Sequence, residues 1–258
     1  MMVASIEATL ELWASSLRDI KERMRPLFSQ QRVALSAGQF LDGLLGDERR
    51  KTGWMRAEAA GDPGPWRQQA ILGRGRWDAD ALRDIVRDYA LETLADVDAV
   101  LVIDETGFLK QGKASCGVSR QYTGSVGKIT NCQIGVFAAY VSRHGHCFID
   151  RALYLPKTWT EDLERMAKVH VPEATGFATK PALARRMIER AISENVPFAV
   201  CVRRSFQLPI SVCRGGSAED DIVEAGPASP YDNIAWWRVL SSCEIAAKAG
   251  DFQDVACQ

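Results

Sequence analysis

An unbroken apolar run followed at once by two acids is the feature that most constrains how this chain folds. Residues 99–103 read Ala-Val-Leu-Val-Ile, and Asp104 and Glu105 follow directly. Such a short, β-branched apolar run is typical of a strand covered on both faces, because a strand with one wet face alternates polar and apolar residues. We therefore predict a buried central strand that ends in the turn-forming sequence of residues 104–107.

The segments on either side of this run predict an α/β fold. Residues 133–141 and 147–154 are rich in β-branched and aromatic residues and are separated by a turn at residues 143–146, which predicts a hairpin. Residues 180–192 have the three- and four-residue apolar spacing of a helix, and residues 196–202 return to strand composition. Strands followed by a helix and then another strand indicate one layer of sheet covered by helices.

The first 95 residues differ from the rest of the chain and read as helical. Leu10, Trp13, Leu17 and Ile20 recur at three- and four-residue steps, the spacing of an apolar stripe on an amphipathic helix. A later helix from Asp78 onward is predicted, with that aspartate as its N-cap. We expect an N-terminal region of packed helices.

Composition limits the class of protein. The chain has 258 residues, of which 47% are hydrophobic and 25% charged, with a formal net charge of -1. This balance is typical of a globular protein, and no apolar run approaches the roughly 20 residues that a membrane helix needs. We expect a cytoplasmic protein without a membrane partner.

The seven cysteines include no CxxC pair, so neither a zinc site nor a disulfide framework is predicted.

Asp104 is the residue that most suggests chemistry. An acid at the carboxyl end of a buried strand lies at the edge where open α/β sheets hold their ligands. Residues 109–149 carry five bases and no acid, a pattern that fits a metal site beside a phosphate backbone. Two alternatives stay open at this point: Asp104 can be a turn former, and the basic strip can be an ordinary solvated face. The five bases are Lys110, Lys113, Arg120, Lys128 and Arg143.

Five motifs, in order along the chain, resemble those of bacterial transposases of the insertion-sequence-701 family, which belong to the DDE superfamily. Together they place the resemblance over roughly residues 13–199, and any one of them alone would be a weak signal. The motifs are Val102-Ile103-Asp104-Glu105-Thr106-Gly107-Phe108, Arg120-Gln121-Tyr122-Thr123-Gly124, Asn131-Cys132-Gln133-Ile134-Gly135-Val136-Phe137, Leu153-Tyr154-Leu155-Pro156-Lys157-Thr158-Trp159-Thr160 and Ala178-Thr179-Lys180-Pro181.

The resemblance implies an RNase H-like mixed sheet flanked by helices, with Asp104 as the first metal-binding carboxylate. It also implies DNA, specifically transposon ends, as the partner, with the preceding helices helping to bind those ends. In this chemistry three carboxylates hold two Mg²⁺ ions, which activate the attacking oxygen and stabilise the leaving one. Glu105 would point to the opposite face if the strand persists, so we assign it no metal.

The sequence departs from the family pattern near residue 200. By counting, the second catalytic aspartate of the family falls at Arg204, and a guanidinium cannot ligate Mg²⁺. No family motif follows, and the third acid, a glutamate, is not found. We therefore expect a C-terminally truncated or frameshifted copy with three parts: a helical region (1–95), a partial catalytic core (96–200) and an irregular tail outside the family pattern (201–258).

Two functions follow from that expectation. The chain can be a transposase-family strand transferase or endonuclease that is inactive alone. Alternatively, it can be a non-catalytic remnant that binds DNA or a full-length transposase and thereby inhibits transposition.

Overall fold

The structure, a computed structural model, describes residues 5–73, 75–205, 208–214 and 222–224, with side chains through residue 202. The contacts divide the chain into two compact units. Among the described residues, the first unit runs to Tyr89 and the second begins at Ala90. Most of the segment expected to be an irregular tail lies outside the described residues.

The first unit is helical, as predicted. Its small core contains Phe28, Ala37 and Ile71, and the indole Nε1 of Trp77 donates to the Ile71 carbonyl at 2.9 Å. The last helix of the unit continues into the second. The helices are α1 (Ile6–Met24), a short 3-10 helix (Arg25–Leu27), α2 (Gln31–Leu45), α3 (Gly53–Ala59), α4 (Trp66–Gly73) and α5 (Ala79–Leu94).

The structure tests two predictions made for this unit, the Asp78 cap and the apolar stripe of the first helix. Asp78 does cap α5, because its Oδ1 accepts from the backbone N–H groups of Asp80 and Ala81 at 2.9 and 3.0 Å. In α1 the helix forms, but Leu10 and Trp13 are 55% and 69% exposed. Periodic spacing therefore predicted the helix correctly and did not predict the burial of its stripe.

The second unit is a mixed β-sheet with helices. The predicted hairpin and the following helix are present, while the short strand β2 was not predicted. The elements are β1 (Val100–Leu109), β2 (Ser119–Thr123), β3 (Lys128–Ser142), β4 (Gly145–Tyr154), α6 (Lys157–Thr160), α7 (Leu163–Lys168), α8 (Lys180–Ser193), β5 (Val200–Ser205), β6 (Leu208–Arg214) and β7 (Ile222–Glu224).

The strand order is β2-β3-β1-β5-β6-β7, and β4 also pairs with β3. β1 lies at the centre, antiparallel to β3 and parallel to β5. Cys132 of β3 pairs with Leu109 of β1 and with Ser119 of β2, so β2 and β4 lie end to end on the side of β3 away from β1. The predicted α/β fold is confirmed.

A buried tyrosine ties together the two segments that lead into the parallel strands. Tyr140 has no exposed surface, and its hydroxyl accepts from the backbone N–H of Asp96 at 2.9 Å and donates to the Pro197 carbonyl at 2.7 Å. Because Asp96 precedes β1 and Pro197 precedes β5, this contact helps to fix the parallel register between those strands. That register decides which residues lie beside Asp104.

No helix in the part of the chain that the structure describes is both long enough and apolar enough to cross a membrane.

Candidate nucleic-acid interface

Asp104 lies in the middle of the central strand and not at its end. The prediction that the strand stops at residues 104–107 is wrong, because β1 continues to Leu109 and every residue from 104 to 109 pairs with β3. Turn-forming residues are held in extended conformation here by a partner strand that local sequence does not reveal. Asp104 itself is partly exposed, and its Oδ1 accepts from the Glu105 backbone N–H at 2.8 Å.

The side chains of β1 alternate between two differently packed faces. Leu101 and Ile103 belong to the main core, which includes Met187 of α8. Val100 and Val102 belong to a second, smaller cluster on the other face, and alternation places Asp104 on that face too. Because the strand persists through residue 105, Glu105 points to the α8 face, as the sequence predicted.

Aromatic side chains lie beside Asp104 on its face. Its register partner on β3 is Phe137, whose ring makes edge contacts with Phe108 and Phe148 at centroid distances of 6.2 and 5.5 Å. A Cβ at residue 135 would lie 2.6 Å from the Phe137 ring, so Gly135 provides the space for that ring. The carboxylate therefore lies next to a rigid, half-buried aromatic surface.

The next strand, β4, adds an arginine beside Phe137, and the sequence did not indicate this neighbour. Phe137 pairs with Arg151 of β4, so Arg151, Phe137 and Asp104 form one row across three strands. On the other side of β1, β5 pairs as far as Arg203 with Ile103, and Arg204 is the next residue of β5. Only strand pairing reveals the row of Arg151, Phe137 and Asp104, since Phe137 is 33 residues from Asp104 and 14 from Arg151 along the chain.

On the opposite face, Glu105 pairs with a lysine from a distant motif. Lys180, the first residue of α8, donates from Nζ to Glu105 Oε1 at 2.6 Å, and the same Nζ lies 5.4 Å from the centre of the Tyr154 ring. Burial and, less strongly, the charge of Glu105 raise the pKa of Tyr154. Three of the five sequence motifs thus meet at one point, where the pair joins β1 to α8.

The five predicted DNA-contacting bases lie in different settings. Arg120 and Lys128 are exposed on the hairpin formed by β2 and β3, and Lys113 is exposed before it. Lys110 is partly buried, and this burial lowers the pKa of its ammonium. Arg143 lies in the β3–β4 turn, with its Nε 3.0 Å from Oδ2 of the buried Asp96. Arg120 and Lys128 therefore lie on the same hairpin, and Arg143 lies elsewhere, in an ion pair.

The family assignment rests on a match over more than half of the chain. The sequence model described as "DDE superfamily endonuclease" matches residues 23–203. The chain belongs to this DDE superfamily. The match includes all of β1 to β4, α8 and the start of β5, and therefore Asp104 and its neighbours.

A protein of Microchaete diplosiphon gives the narrower resemblance. It is described as a probable transposase for insertion sequence element IS701 and is 33% identical to this chain over 94 residues. The aligned part covers 36% of this chain and 25% of that relative, so the chain spans about a quarter of the length of the curated relative it matches. The resemblance to insertion-sequence-701 transposases, first inferred from the five motifs, is confirmed.

The topology agrees with a DDE protein of RNase H-like fold. β4, β3, β1 and β5 are adjacent in that order, with β3 antiparallel to β1 and β5 parallel to it. Helix α8 lies in the chain between β4 and β5 and packs on one face of the sheet. The predicted fold class, a mixed RNase H-like sheet flanked by helices, is confirmed.

Endonucleases of this superfamily typically use divalent metal ions, but the residues around Asp104 do not fit a two-metal site. Among the described side chains there is no group of three histidine, cysteine, aspartate or glutamate residues close enough to hold a metal. The register partner of Asp104 on β3 is Phe137, which offers no ligand atom. One carboxylate cannot neutralise and position two Mg²⁺ ions, so we derive no metal-dependent step for this chain.

Proposed function

We propose that this chain is a DNA-binding member of the insertion-sequence-701 transposase family that does not cut or join DNA strands by itself. One observation carries the proposal: β5 pairs with β1 as far as Arg203 and Ile103, and the residues that come next in the two strands are Arg204 and Asp104. In the family pattern position 204 corresponds to the second metal-binding aspartate. The substitution replaces a metal ligand with a permanent positive charge.

The physical reason for inactivity is the loss of paired carboxylates. Phosphoryl transfer by DDE chemistry needs two divalent ions held by several acids, because the ions carry the charge that develops on the attacking and leaving oxygens. Asp104 remains as the proposed first ligand, with Mg²⁺ as the ion it would bind in the family. A guanidinium at position 204 repels such an ion and attracts phosphate instead.

DNA binding is supported by the charge distribution of the second unit. Residues 109–149 contain no acid, and they include the exposed bases Lys113, Arg120 and Lys128. With a net charge of -1 for the whole chain, this segment is a local concentration of positive charge. Local bases of this kind bind phosphates by releasing counterions from the DNA.

The proposal is tested by measuring the affinity of the purified chain for labelled duplexes of transposon-end sequence over a range of salt concentrations. We expect log Kd to change linearly with log salt concentration, with a slope of about 0.9 for each phosphate contacted. Replacing Arg120 and Lys128 with glutamine should reduce that slope by roughly two. Affinity that is independent of salt would contradict the proposal.

A second candidate function is inhibition of a full-length transposase that uses the same DNA. The observation favouring it is that the β2–β3 hairpin with its exposed bases and the sheet that contains Asp104 are both present, while residue 204 is an arginine and not an acid. A chain of this kind can occupy transposon ends without processing them. Co-expression with an active copy should lower the transposition frequency, and the glutamine variants of Arg120 and Lys128 should relieve that effect.

A further inference from the structure

The hairpin of β2 and β3 has one side fixed against the rest of the second unit. The Thr123 side chain is 2% exposed and packs on Gly107 of β1, where any Cβ would overlap it. The Ser125 hydroxyl donates to the Gly107 carbonyl at 3.1 Å. Gln121 donates from its amide to the Cys132 carbonyl at 3.1 Å. The tip of the hairpin is therefore held on the central strand.

The other side of the hairpin exposes an apolar pair. Tyr122 and Ile129 are directly opposite each other in the β2–β3 register, and they are 46% and 61% exposed. Opposite residues of an antiparallel pair lie on the same side of the ribbon, so their side chains form one continuous surface. Arg120, two residues before Tyr122, shares that side and is exposed as well.

The charges around this apolar pair favour a negatively charged occupant. No acid occurs between residues 109 and 149, and Arg120 is exposed on the same side as the pair, whereas the exposed Lys128 lies opposite Thr123 on the other side. An exposed aromatic and apolar pair on a hairpin that carries bases and no acid is complementary to DNA, which offers bases and sugars between rows of phosphates. A hairpin that is anchored on its inner side can present such a pair without reordering on binding.

The hairpin tip is close to the proposed catalytic carboxylate along the chain. Gly107, which contacts the tip, comes three residues after Asp104 on the same strand, a span of roughly 10 Å in extended conformation. Strand alternation puts Gly107 on the face of Glu105, so the hairpin tip packs on the face of β1 opposite to that of Asp104.

We propose that Tyr122 and Ile129 form an apolar contact with the bases and sugars of a DNA groove, while Arg120, on the same side of the hairpin, binds a flanking phosphate. This inference rests on the proposed DNA-binding function and assigns to it a contact that does not depend on phosphate. Its role is to position the duplex on the hairpin. An apolar contact and a phosphate contact respond differently to salt, and this difference makes the proposal testable.

The experiment compares variants of the full chain by fluorescence anisotropy with a labelled, mixed-sequence DNA duplex at several salt concentrations. The double variant Tyr122→Ser/Ile129→Ser should raise Kd by roughly tenfold at every salt concentration and leave the salt slope unchanged. Arg120→Gln/Lys128→Gln should instead flatten the slope. The matched control is Leu163→Ser, which removes a 73% exposed apolar side chain from α7 and should leave Kd unchanged.

Each result has a defined consequence. The thermal unfolding temperature of the double variant is measured beside Kd, and a higher Kd in a variant that is still folded at the assay temperature separates a contact role from a folding role. If Kd is unchanged in the double variant while the glutamine variants still flatten the slope, the apolar contact is refuted and DNA binding stands. If the wild-type chain shows no salt-sensitive binding, the proposed function fails and this inference fails with it.

Discussion

At the scale of single residues, the proposed inactivity depends on the arginine at position 204. Neighbouring strands in a sheet lie about 4.8 Å apart, so carboxylates at adjacent register positions can share one divalent ion. The pairing of β1 with β5 runs to Ile103 and Arg203, and the next residues of the two strands are Asp104 and Arg204. An arginine cannot ligate a divalent ion.

Restoring the acid should therefore restore part of a metal site. We expect Arg204→Asp to bind Mn²⁺ at least about tenfold more tightly than the wild-type chain, equivalent to about 1.4 kcal/mol. Titration followed by electron paramagnetic resonance of free Mn²⁺ measures this directly. Adding Asp104→Asn to the variant should abolish the gain, and a gain that survives this second change would show that the ion binds elsewhere.

The ion pair between Lys180 and Glu105 should matter for stability. A lysine in the first turn of a helix is disfavoured by the helix dipole, and here its partly buried carboxylate partner offsets that cost. We expect Lys180→Met to lower the free energy of unfolding by about 1–3 kcal/mol, measured by urea denaturation. Lys157→Met is the matched control, since its ammonium lies over the Phe177 ring at 5.3 Å on an exposed residue. Equal losses in the two variants would contradict a special role for the Glu105 pair.

At the scale of elements, the contact between Gly107 and Thr123 holds the β2–β3 hairpin on the central strand. Any side chain at residue 107 must displace Thr123, because the two would overlap. Gly107→Ala should therefore destabilise the chain by about 1–3 kcal/mol, measured by thermal or urea unfolding.

A double-mutant cycle separates this overlap from a general effect on the strand. Replacing Thr123 with glycine removes the obstructing side chain, so the cost of Gly107→Ala should shrink in that background by more than about 0.5 kcal/mol. Strictly additive losses would show that the contact does not hold the hairpin.

Elements with a strong local pattern could be predicted from the sequence, and those that depend on distant partners could not. The buried run before Asp104, the β3–β4 hairpin and α8 all have spacing or composition that is visible within ten to fifteen residues. The continuation of β1 through residues 104–109 depends on pairing with β3, whereas the turn-forming residues of this segment predict a turn. The Lys180–Glu105 contact joins residues 75 positions apart, so no local signal could indicate it.

The candidate site was predictable in part for the same reason. Asp104 was found because an acid directly after a buried apolar run is a local feature. Arg151 was missed because only the pairing of β4 with β3 places it in the row that contains Asp104. The opposite faces of Asp104 and Glu105 followed from strand alternation alone.

At the scale of the whole chain, the superfamily match indicates a DNA-cleaving ancestry, while the described residues near Asp104 do not form a metal site. The DDE superfamily match covers residues 23–203, and the strand order agrees with an RNase H-like core. Yet the residue that follows Arg203, the last residue of β5 that pairs with β1, is also an arginine. We therefore propose a chain that binds DNA and does not cleave it by itself.

The most direct test of this account is the nicking of supercoiled plasmid carrying a transposon end, with purified chain and either Mg²⁺ or Mn²⁺. We expect the wild-type chain to bind the plasmid but to nick it no faster than the Asp104→Asn variant does. Metal-dependent nicking by the wild-type chain that the Asp104→Asn variant lacks would contradict it, because a working metal site would then exist despite the arginine at position 204.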